Sequence, residues 1–193
     1  MRSPSTSSGR RRLRASVARF DDGVDSAFDH LRGRPVADRV FYGASQLGDY
    51  SLLWLLLGGV KGMRSEHHWR ASVRLATGVA IEFVLVNGLI KSLFRRRRPP
   101  SEADHPLKVR RPRTSSFPSG HATSAFASAT LLAENDPLAP LYYAAAVVVA
   151  SSRVYVRLHH ASDVAVGISI GLVLGRLGRR LMPLVPPEGT LEA

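Results

Sequence analysis

Apolar residues in this chain are gathered into blocks that alternate with charged segments. YSLLWLLLGGV (50–60) and LYYAAAVVVASS (141–152) carry no charge, and LATGVAIEFVLVNGLI (75–90) contains a single Glu. Extended through the small and weakly polar residues beside them, the blocks predict helices that are each about long enough to cross a bilayer with some tilt. These predicted helices cover residues 40–60, 70–92, 121–135, 138–156 and 163–182.

The alternative to a membrane protein is a soluble bundle of short buried helices. Five apolar segments leave too few amphipathic faces for a surface in water, and the frequent Gly and Ala residues favour close helix packing in a bilayer. Strand signals are poor, because no hairpin turn flanks the β-branched run at 144–150. We therefore expect an all-α fold, an integral-membrane antiparallel helix bundle with about five apolar helices plus an N-terminal amphipathic helix.

The polar segments divide the chain into four regions. Residues 1–19 are rich in Ser and Arg and predict a disordered basic tail. Residues 20–38 predict an amphipathic helix at the membrane interface, ended by Gly33 and Pro35. Residues 39–183 would form the membrane-embedded domain, and residues 184–193 a C-terminal tail.

The amino-acid composition limits the partners and the kinds of site that this chain can have. The 193 residues include 27 Lys and Arg against 15 Asp and Glu, a formal net charge of +12, which favours a polyanionic partner such as an anionic membrane, nucleic acid or a phosphorylated substrate. The chain has no cysteine, which excludes disulfides, zinc–thiolate sites and a cysteine nucleophile.

Three polar clusters stand at the ends of apolar segments. In KSLFRRRRPP (91–100), Lys91 and Arg98 are two helical turns apart and can share a face. In FPSGHATSAF (117–126), Ser119 is a good N-cap, and the amides after it form an anion site beside His121. Taken alone, the first cluster is typical of a membrane anchor, and a histidine at a helix start is more often structural.

The third cluster is SRVYVRLHHASDVAVG (152–167). His159 and Asp163 are four residues apart, so on a helix the carboxylate could accept the Nδ1 proton of His159 and leave Nε2 as nucleophile or base. An isolated pair at this spacing is usually a surface hydrogen bond. In an antiparallel bundle, however, all three clusters meet on one side, where cations, helix-start amides and two histidines would make a metal-free site for phosphoryl transfer.

These residues resemble a known family. K-x6-R-P (Lys91, Arg98, Pro99), P-S-G-H (Pro118–His121) and S-R-x5-H-x3-D (Ser152, Arg153, His159, Asp163) are similar to the three-part signature of the type-2 phosphatidic acid phosphatase superfamily. That superfamily includes membrane lipid phosphatases, soluble bacterial acid phosphatases and vanadium haloperoxidases. The resemblance spans residues 91–163, and every motif position is filled.

The resemblance implies a role for each motif residue. His159 would form a phosphohistidine, Asp163 would orient it, and His121 would act as general acid for the leaving alcohol. The phosphate would be held by Lys91, Arg98, Ser119, Gly120 and Arg153, with no metal and no other cofactor. Outside the pattern, we expect His160 to be non-catalytic and Arg95, Arg96 and Arg97 to contact headgroups or anchor the chain.

We therefore expect a multi-pass cell-membrane phosphatase that hydrolyses a lipid phosphomonoester or pyrophosphate. Its partners would be a lipid phosphate or a polyprenyl phosphate or diphosphate and the membrane, with no nucleic acid. Two alternatives stay open: a vanadate-dependent peroxidase on the same site, and a non-enzymatic basic membrane protein that binds anionic lipid. Two spans before the first motif would put the site on the side of the basic tail, in the cytoplasm by the positive-inside rule, whereas family members usually face it outward.

Overall fold

The computed structural model describes residues 5–100 and 107–184. Those residues form helices and loops and contain no strand, so the all-α prediction is confirmed. The helices are α1 (Ser5–Asp29), α2 (Pro35–Leu47), α3 (Leu52–Gly62), α4 (Glu66–Glu82), α5 (Gly120–Leu132), α6 (Ala139–Tyr155) and α7 (Ala161–Leu181). A 3₁₀ turn (Asp49–Ser51) separates α2 from α3, and α4 continues as a π-helix (Phe83–Ile90) and a 3₁₀ turn (Lys91–Leu93).

The expected number of five apolar helices is not confirmed. In the described chain, two helices are long and apolar enough to span a membrane, Glu66–Leu93 and Ala161–Leu181, and they match the segments expected at 70–92 and 163–182. The segment expected at 40–60 is interrupted between α2 and α3. Helix α5 has 13 residues, which gives about 20 Å, short of a hydrocarbon core of about 30 Å.

Large apolar side chains are exposed on the outside of the bundle. They lie on α3 and on α4 with its π-helical continuation: Leu55, Leu56, Val60, Ile81, Phe83, Val84 and Leu89. Exposed apolar surface of this kind marks a protein–protein or membrane contact. Together with the two candidate spans, this surface is consistent with helices that face lipid.

Helix α5 is the centre of the bundle, and every residue from Ala122 to Leu132 is buried. It packs against α7, where Gly167, Gly171 and Gly175 recur every four residues along one face, so that the two backbones approach closely. A Cβ on Gly167 would lie 2.6 Å from the carbonyl oxygen of Ser119. The close packing places the first turns of α5 and α7 side by side.

Helix α1 begins inside the segment expected to be a disordered tail, because it runs without a break from Ser5 to Asp29. The arginines, leucine and alanines of that segment have good helix propensity, which the disorder prediction from its Ser and Arg content did not weigh. Asp21 of α1 is 5% exposed and accepts a hydrogen bond from the backbone N–H of Ser162 at 2.7 Å. Helix α1 is therefore packed against the start of α7. The predicted tail at 184–193 lies outside the described residues, apart from Leu184.

Candidate active site

A pocket opens where the end of α4, the start of α5 and the loop before α7 meet the break between α2 and α3. Six of the eight predicted site residues line it: Lys91, Arg98, Gly120, His121, Arg153 and His159. The other two, Ser119 and Asp163, are fully buried behind this lining. The structure thus brings the three sequence clusters together at one end of the bundle.

His159 lies in the loop that connects α6 to α7. Its Nδ1 is 2.6 Å from the carbonyl oxygen of Ser116, and its Nε2 is 3.1 Å from Nη1 of Arg98. A carbonyl can only accept, so Nδ1 carries the proton and Nε2 keeps its lone pair. Burial, followed by the positive charges of Arg153, Arg98 and Lys91, holds the pKa of His159 well below its usual range. The ring is therefore neutral at neutral pH, as a nucleophile requires.

The structure differs from the predicted hydrogen bond between His159 and Asp163. Nδ1 of His159 is 3.8 Å from Oδ2 of Asp163, too long for a hydrogen bond. The prediction assumed that both residues lie on one helix, but α7 begins at Ala161. His160 is the N-cap residue of α7, and its backbone N–H donates to Asp163 Oδ2 at 2.9 Å. Asp163 therefore fixes the start of the helix that follows the His159 loop.

Arg96 is not a headgroup anchor, because its guanidinium points into the protein. Nη1 lies 2.6 Å from Oδ1 of Asp163, and Nη2 lies 2.6 Å from Oδ2 of Asp21. Nη1 also donates to the hydroxyl of Ser162 at 2.7 Å. Arg96 thus joins α1, the loop after α4 and the start of α7. Four arginines in a row (Arg95–Arg98) give no sign in the sequence of which one turns inward, so this role of Arg96 was not predicted.

The cations of the pocket are held by neighbouring oxygen atoms. Lys91 Nζ donates to Oδ1 of Asn87 at 2.8 Å, and Arg98 Nη1 donates to the carbonyl of Leu158 at 2.7 Å. Burial, with a smaller effect of the nearby Arg111 charge, lowers the pKa of Arg98 to about 10, so Arg98 stays cationic at neutral pH.

Two buried donors of the pocket lack a partner. The Nε atoms of Arg98 and Arg153 make no hydrogen bond within the described residues, and a buried N–H without a partner is costly. An anion in the pocket could accept from such donors. Ser119 acts as the expected N-cap of α5, since its Oγ accepts from the N–H of Ala122 at 3.4 Å.

His121, in the first turn of α5, faces a carboxylate that the sequence analysis did not single out. Its Nε2 is 2.9 Å from Oδ1 of Asp49, in the 3₁₀ turn between α2 and α3. Burial alone would raise the pKa of the Asp49 carboxyl, but the hydrogen bond with His121 and nearby positive charges outweigh it and lower that pKa. An acidic residue inside an apolar segment was the available signal.

Glu82 is a second carboxylate that the sequence analysis passed over. It lies at the end of α4, lines the pocket and is 2% exposed, and its Oε1 has no hydrogen-bond partner within the described residues. It was visible as the one charge in the apolar block 75–90. The described part of the chain has no group of three or more His, Asp or Glu side chains placed to hold a metal ion.

Comparison with known proteins places this site in a family. The sequence model described as PAP2 superfamily matches residues 71–185, which include every predicted site residue. The chain belongs to the PAP2 superfamily. The resemblance expected from the three motifs is confirmed.

Among PAP2 relatives, decaprenylphosphoryl-5-phosphoribose phosphatase of Mycobacterium tuberculosis is 36% identical over 144 residues, which cover 70% of this chain and 75% of the relative. The PAP2-type phosphatidylglycerolphosphate phosphatase of Bacillus subtilis, a transmembrane protein of known structure, shares 25% identity over 86% of both chains with a TM-score of 0.62. Aquifex aeolicus LpxE has the same fold, with a TM-score of 0.60 over 82% of this chain and 93% of its own, at 24% identity.

This PAP2 protein is therefore an enzyme, a membrane-associated phosphatase, as the sequence predicted. The alternative of a non-enzymatic basic protein is set aside, because it explains the net charge but not the enclosed pair of histidines. The second alternative, a vanadate-dependent peroxidase, would use the same pocket, but the relatives described above are phosphatases.

Proposed function

We propose that this chain is a multi-pass membrane enzyme that removes the phosphate from a polyprenyl-linked sugar phosphate, through a phosphohistidine at His159 and without a metal. One observation supports the mechanism: the Nε2 of His159 carries a lone pair, held toward the Nη1–H of Arg98 at 3.1 Å, inside a pocket lined by the cations Lys91, Arg98, Arg110 and Arg153. The substrate class is supported by the mycobacterial relative, whose name gives a phosphoribose on a decaprenyl carrier.

In the first step, Nε2 of His159 attacks phosphorus, an N–P bond forms, and the P–O bond to the sugar breaks. Lys91, Arg98 and Arg153 balance the charge on the phosphoryl oxygens. His121 gives its proton to the leaving oxygen. In the second step His121 takes a proton from water, the resulting hydroxide attacks phosphorus, and cleavage of the N–P bond returns His159 as neutral imidazole with release of inorganic phosphate.

The two buried motif residues act through their neighbours in this proposal. Ser119 caps α5 and so presents the Gly120 amide at the pocket wall. Asp163 accepts from the backbone of His160 and from Arg96, and in this way fixes the loop that carries His159. Both are positioning residues on this account, whereas His159 and His121 react.

The test is phosphate release from purified lipids, with His159→Ala beside a matched histidine control. His30→Ala serves as that control, because His30 is exposed and outside the pocket. We expect His159→Ala to lose activity by about 10³-fold or more and His30→Ala to keep it. A His159→Ala enzyme that expresses normally and hydrolyses substrate at the wild-type rate would contradict the mechanism.

The substrate panel contains a polyprenyl-linked sugar phosphate, a polyprenyl diphosphate and phosphatidic acid. We expect the first to have the highest kcat/KM, and a preference for either of the others would overturn the substrate assignment but leave the mechanism standing. Full activity in excess chelator and inhibition by vanadate, which adopts five-coordinate geometry, are also expected. A requirement for added metal would refute the metal-free step.

A further inference from the structure

The helical conformation is interrupted between α2 and α3, where the chain packs against His121. Helix α2 ends at Leu47, and the next turn contains two non-glycine residues with left-handed backbone, Tyr50 (φ 53°) and Ser51 (φ 59°). A non-glycine residue in this conformation is strained and persists only where the surroundings impose it. Backbone strain of this kind is common at functional sites. Here the strained turn brings Asp49 to the pocket.

Contacts with α5 and α6 fix the break. Gly48 packs so closely that a Cβ would lie 2.8 Å from Cδ2 of His121 and 2.9 Å from Cγ1 of Val149. The hydroxyls of Ser51 and Ser124 are 2.5 Å apart and share a hydrogen bond. The carboxylate of Asp49 is therefore held firmly beside His121, because these contacts fix the backbone on both sides of it.

We propose that Asp49 is the positioning residue of the general acid: it accepts the Nε2–H of His121 and leaves Nδ1 to pass the proton to the leaving oxygen. The proposal rests on the function proposed above. Nε2 is 2.9 Å from Oδ1 of Asp49, and Nδ1 makes no hydrogen bond within the described residues. Asp49 thereby fixes both the ring orientation and the nitrogen that faces the substrate.

The two histidines of the pocket have partners that suit opposite tasks. The partner of His159 is the neutral carbonyl of Ser116, which fixes the tautomer of the ring without favouring its charged form. Asp49 gives His121 a carboxylate, which stabilises the imidazolium that a general acid must be before it donates. The partner of His121 thus favours protonation when phosphate binds, whereas the partner of His159 does not.

The charges that face His121 come from every side of the pocket. Burial, followed by the positive charge of Arg153 and a smaller effect of Lys91, lowers the pKa of His121 to about 4, although the hydrogen bond with Asp49 opposes that shift. His159, the other titratable ring, is neutral. Arg110 lies beyond Asp49 and donates to the hydroxyl of Tyr50. A bound phosphate adds about −1.5 to −2 charges at neutral pH and offsets the two cations. The proposal requires that bound phosphate and Asp49 together raise the pKa of His121, so that the ring is protonated when substrate is in place and Asp49 accepts from its Nε2–H.

In the step concerned, the P–O bond breaks and its electron pair goes to the leaving oxygen. That oxygen takes the proton from Nδ1 of His121, which becomes neutral while Nε2–H remains bonded to Asp49. Water then returns a proton to Nδ1 as hydroxide attacks the phosphohistidine. Asp49 is unchanged by the cycle.

The experiment compares Asp49→Asn with wild type on two substrates whose leaving groups differ. Phosphatidic acid releases a basic alkoxide that needs a general acid, whereas p-nitrophenyl phosphate releases a stable phenolate that does not. We expect Asp49→Asn to lower kcat by about 10- to 100-fold on phosphatidic acid and by less than about threefold on p-nitrophenyl phosphate. Asp22→Asn, an exposed acid on α1, removes the same charge and should change neither rate.

A pH profile gives a second readout. Because the carboxylate favours the imidazolium, its removal should move the basic limb of kcat for phosphatidic acid to lower pH. Equal loss on both substrates with an unmoved basic limb would show a merely structural role and overturn the proposal, as would no loss on either. The rate on p-nitrophenyl phosphate reports on folding, and persistence of both activities in His159→Ala would refute the proposed function itself.

Discussion

The packing of α7 against α5 gives a prediction whose size follows from the structure. Replacement of Gly167 by Ala places a Cβ 2.6 Å from the carbonyl oxygen of Ser119, 0.8 Å inside the 3.4 Å at which ordinary contact begins. That carbonyl cannot move independently, because it accepts from the N–H and the hydroxyl of Thr123 at 3.0 Å and 2.9 Å. The first turns of α5 and α7 must therefore move apart by most of an ångström.

Separation of these turns should affect activity more than stability. Overpacking costs about 1–3 kcal/mol, and the better helix propensity of Ala offsets about 1 kcal/mol of that. The same shift moves His121 relative to His159, since the backbone N–H of Ser119 donates to the carbonyl of Asp163 at 3.1 Å across this contact. A misplacement of about 1 Å in an active site can cost about 100-fold in rate, so we expect kcat to fall by roughly 10- to 100-fold.

The assay is the initial rate of phosphate release in detergent, with thermal unfolding followed by the fluorescence of Trp54 and Trp69. Gly59→Ala in α3 is the matched control, because no atom lies within 4 Å of its added Cβ. We expect the control to keep full activity and to unfold at an equal or higher temperature. A Gly167→Ala enzyme with wild-type kcat and an unchanged unfolding temperature would refute the packing argument.

Two further predictions concern the residues behind the pocket. Arg96→Ala should lose most activity and destabilise the protein by about 1–3 kcal/mol, because two buried carboxylates each lose a hydrogen-bond donor. The exposed Arg95→Ala should behave as wild type in both measurements. Equal behaviour of the two variants would contradict the role of Arg96. In ¹⁵N NMR spectra of histidine-labelled protein, with His159→Gln for assignment, His159 should carry its proton on Nδ1. It should become charged only as the pH falls well below 6.5, and a titration at or above 6.5 would contradict its lowered pKa.

Motif spacing was enough to predict the main lining of the pocket, for a physical reason. Lys91, His121 and Arg153 stand within a turn of a helix end, and antiparallel packing brings those ends together whatever the details of the core. The apolar blocks likewise located the two long helices, because a helix that is buried or in contact with lipid over about 20 residues needs a long apolar segment.

Features that depend on backbone direction were not predictable in this way. The hydropathy of residues 40–60 suggests one continuous helix, although the left-handed residues Tyr50 and Ser51 turn the chain there. Asp49, which lies in this turn, was therefore missed. The spacing of His159 and Asp163 suggested a helical pair, but where α7 begins is decided by the cap at His160. The inward turn of Arg96 depends on two acids far from it in sequence.

The bond network of Arg96 also bears on how the protein is made. Asp21 is translated first, Arg96 midway, and Asp163 near the end of the described chain, and the guanidinium needs both acids before its charge is matched. The contacts of Asp21 with Ser162 and of Arg96 with Asp163 can form only after the start of α7 has been synthesised. The pocket residue His159 also belongs to this late part of the chain, so both the network and the complete pocket need the C-terminal helix in place.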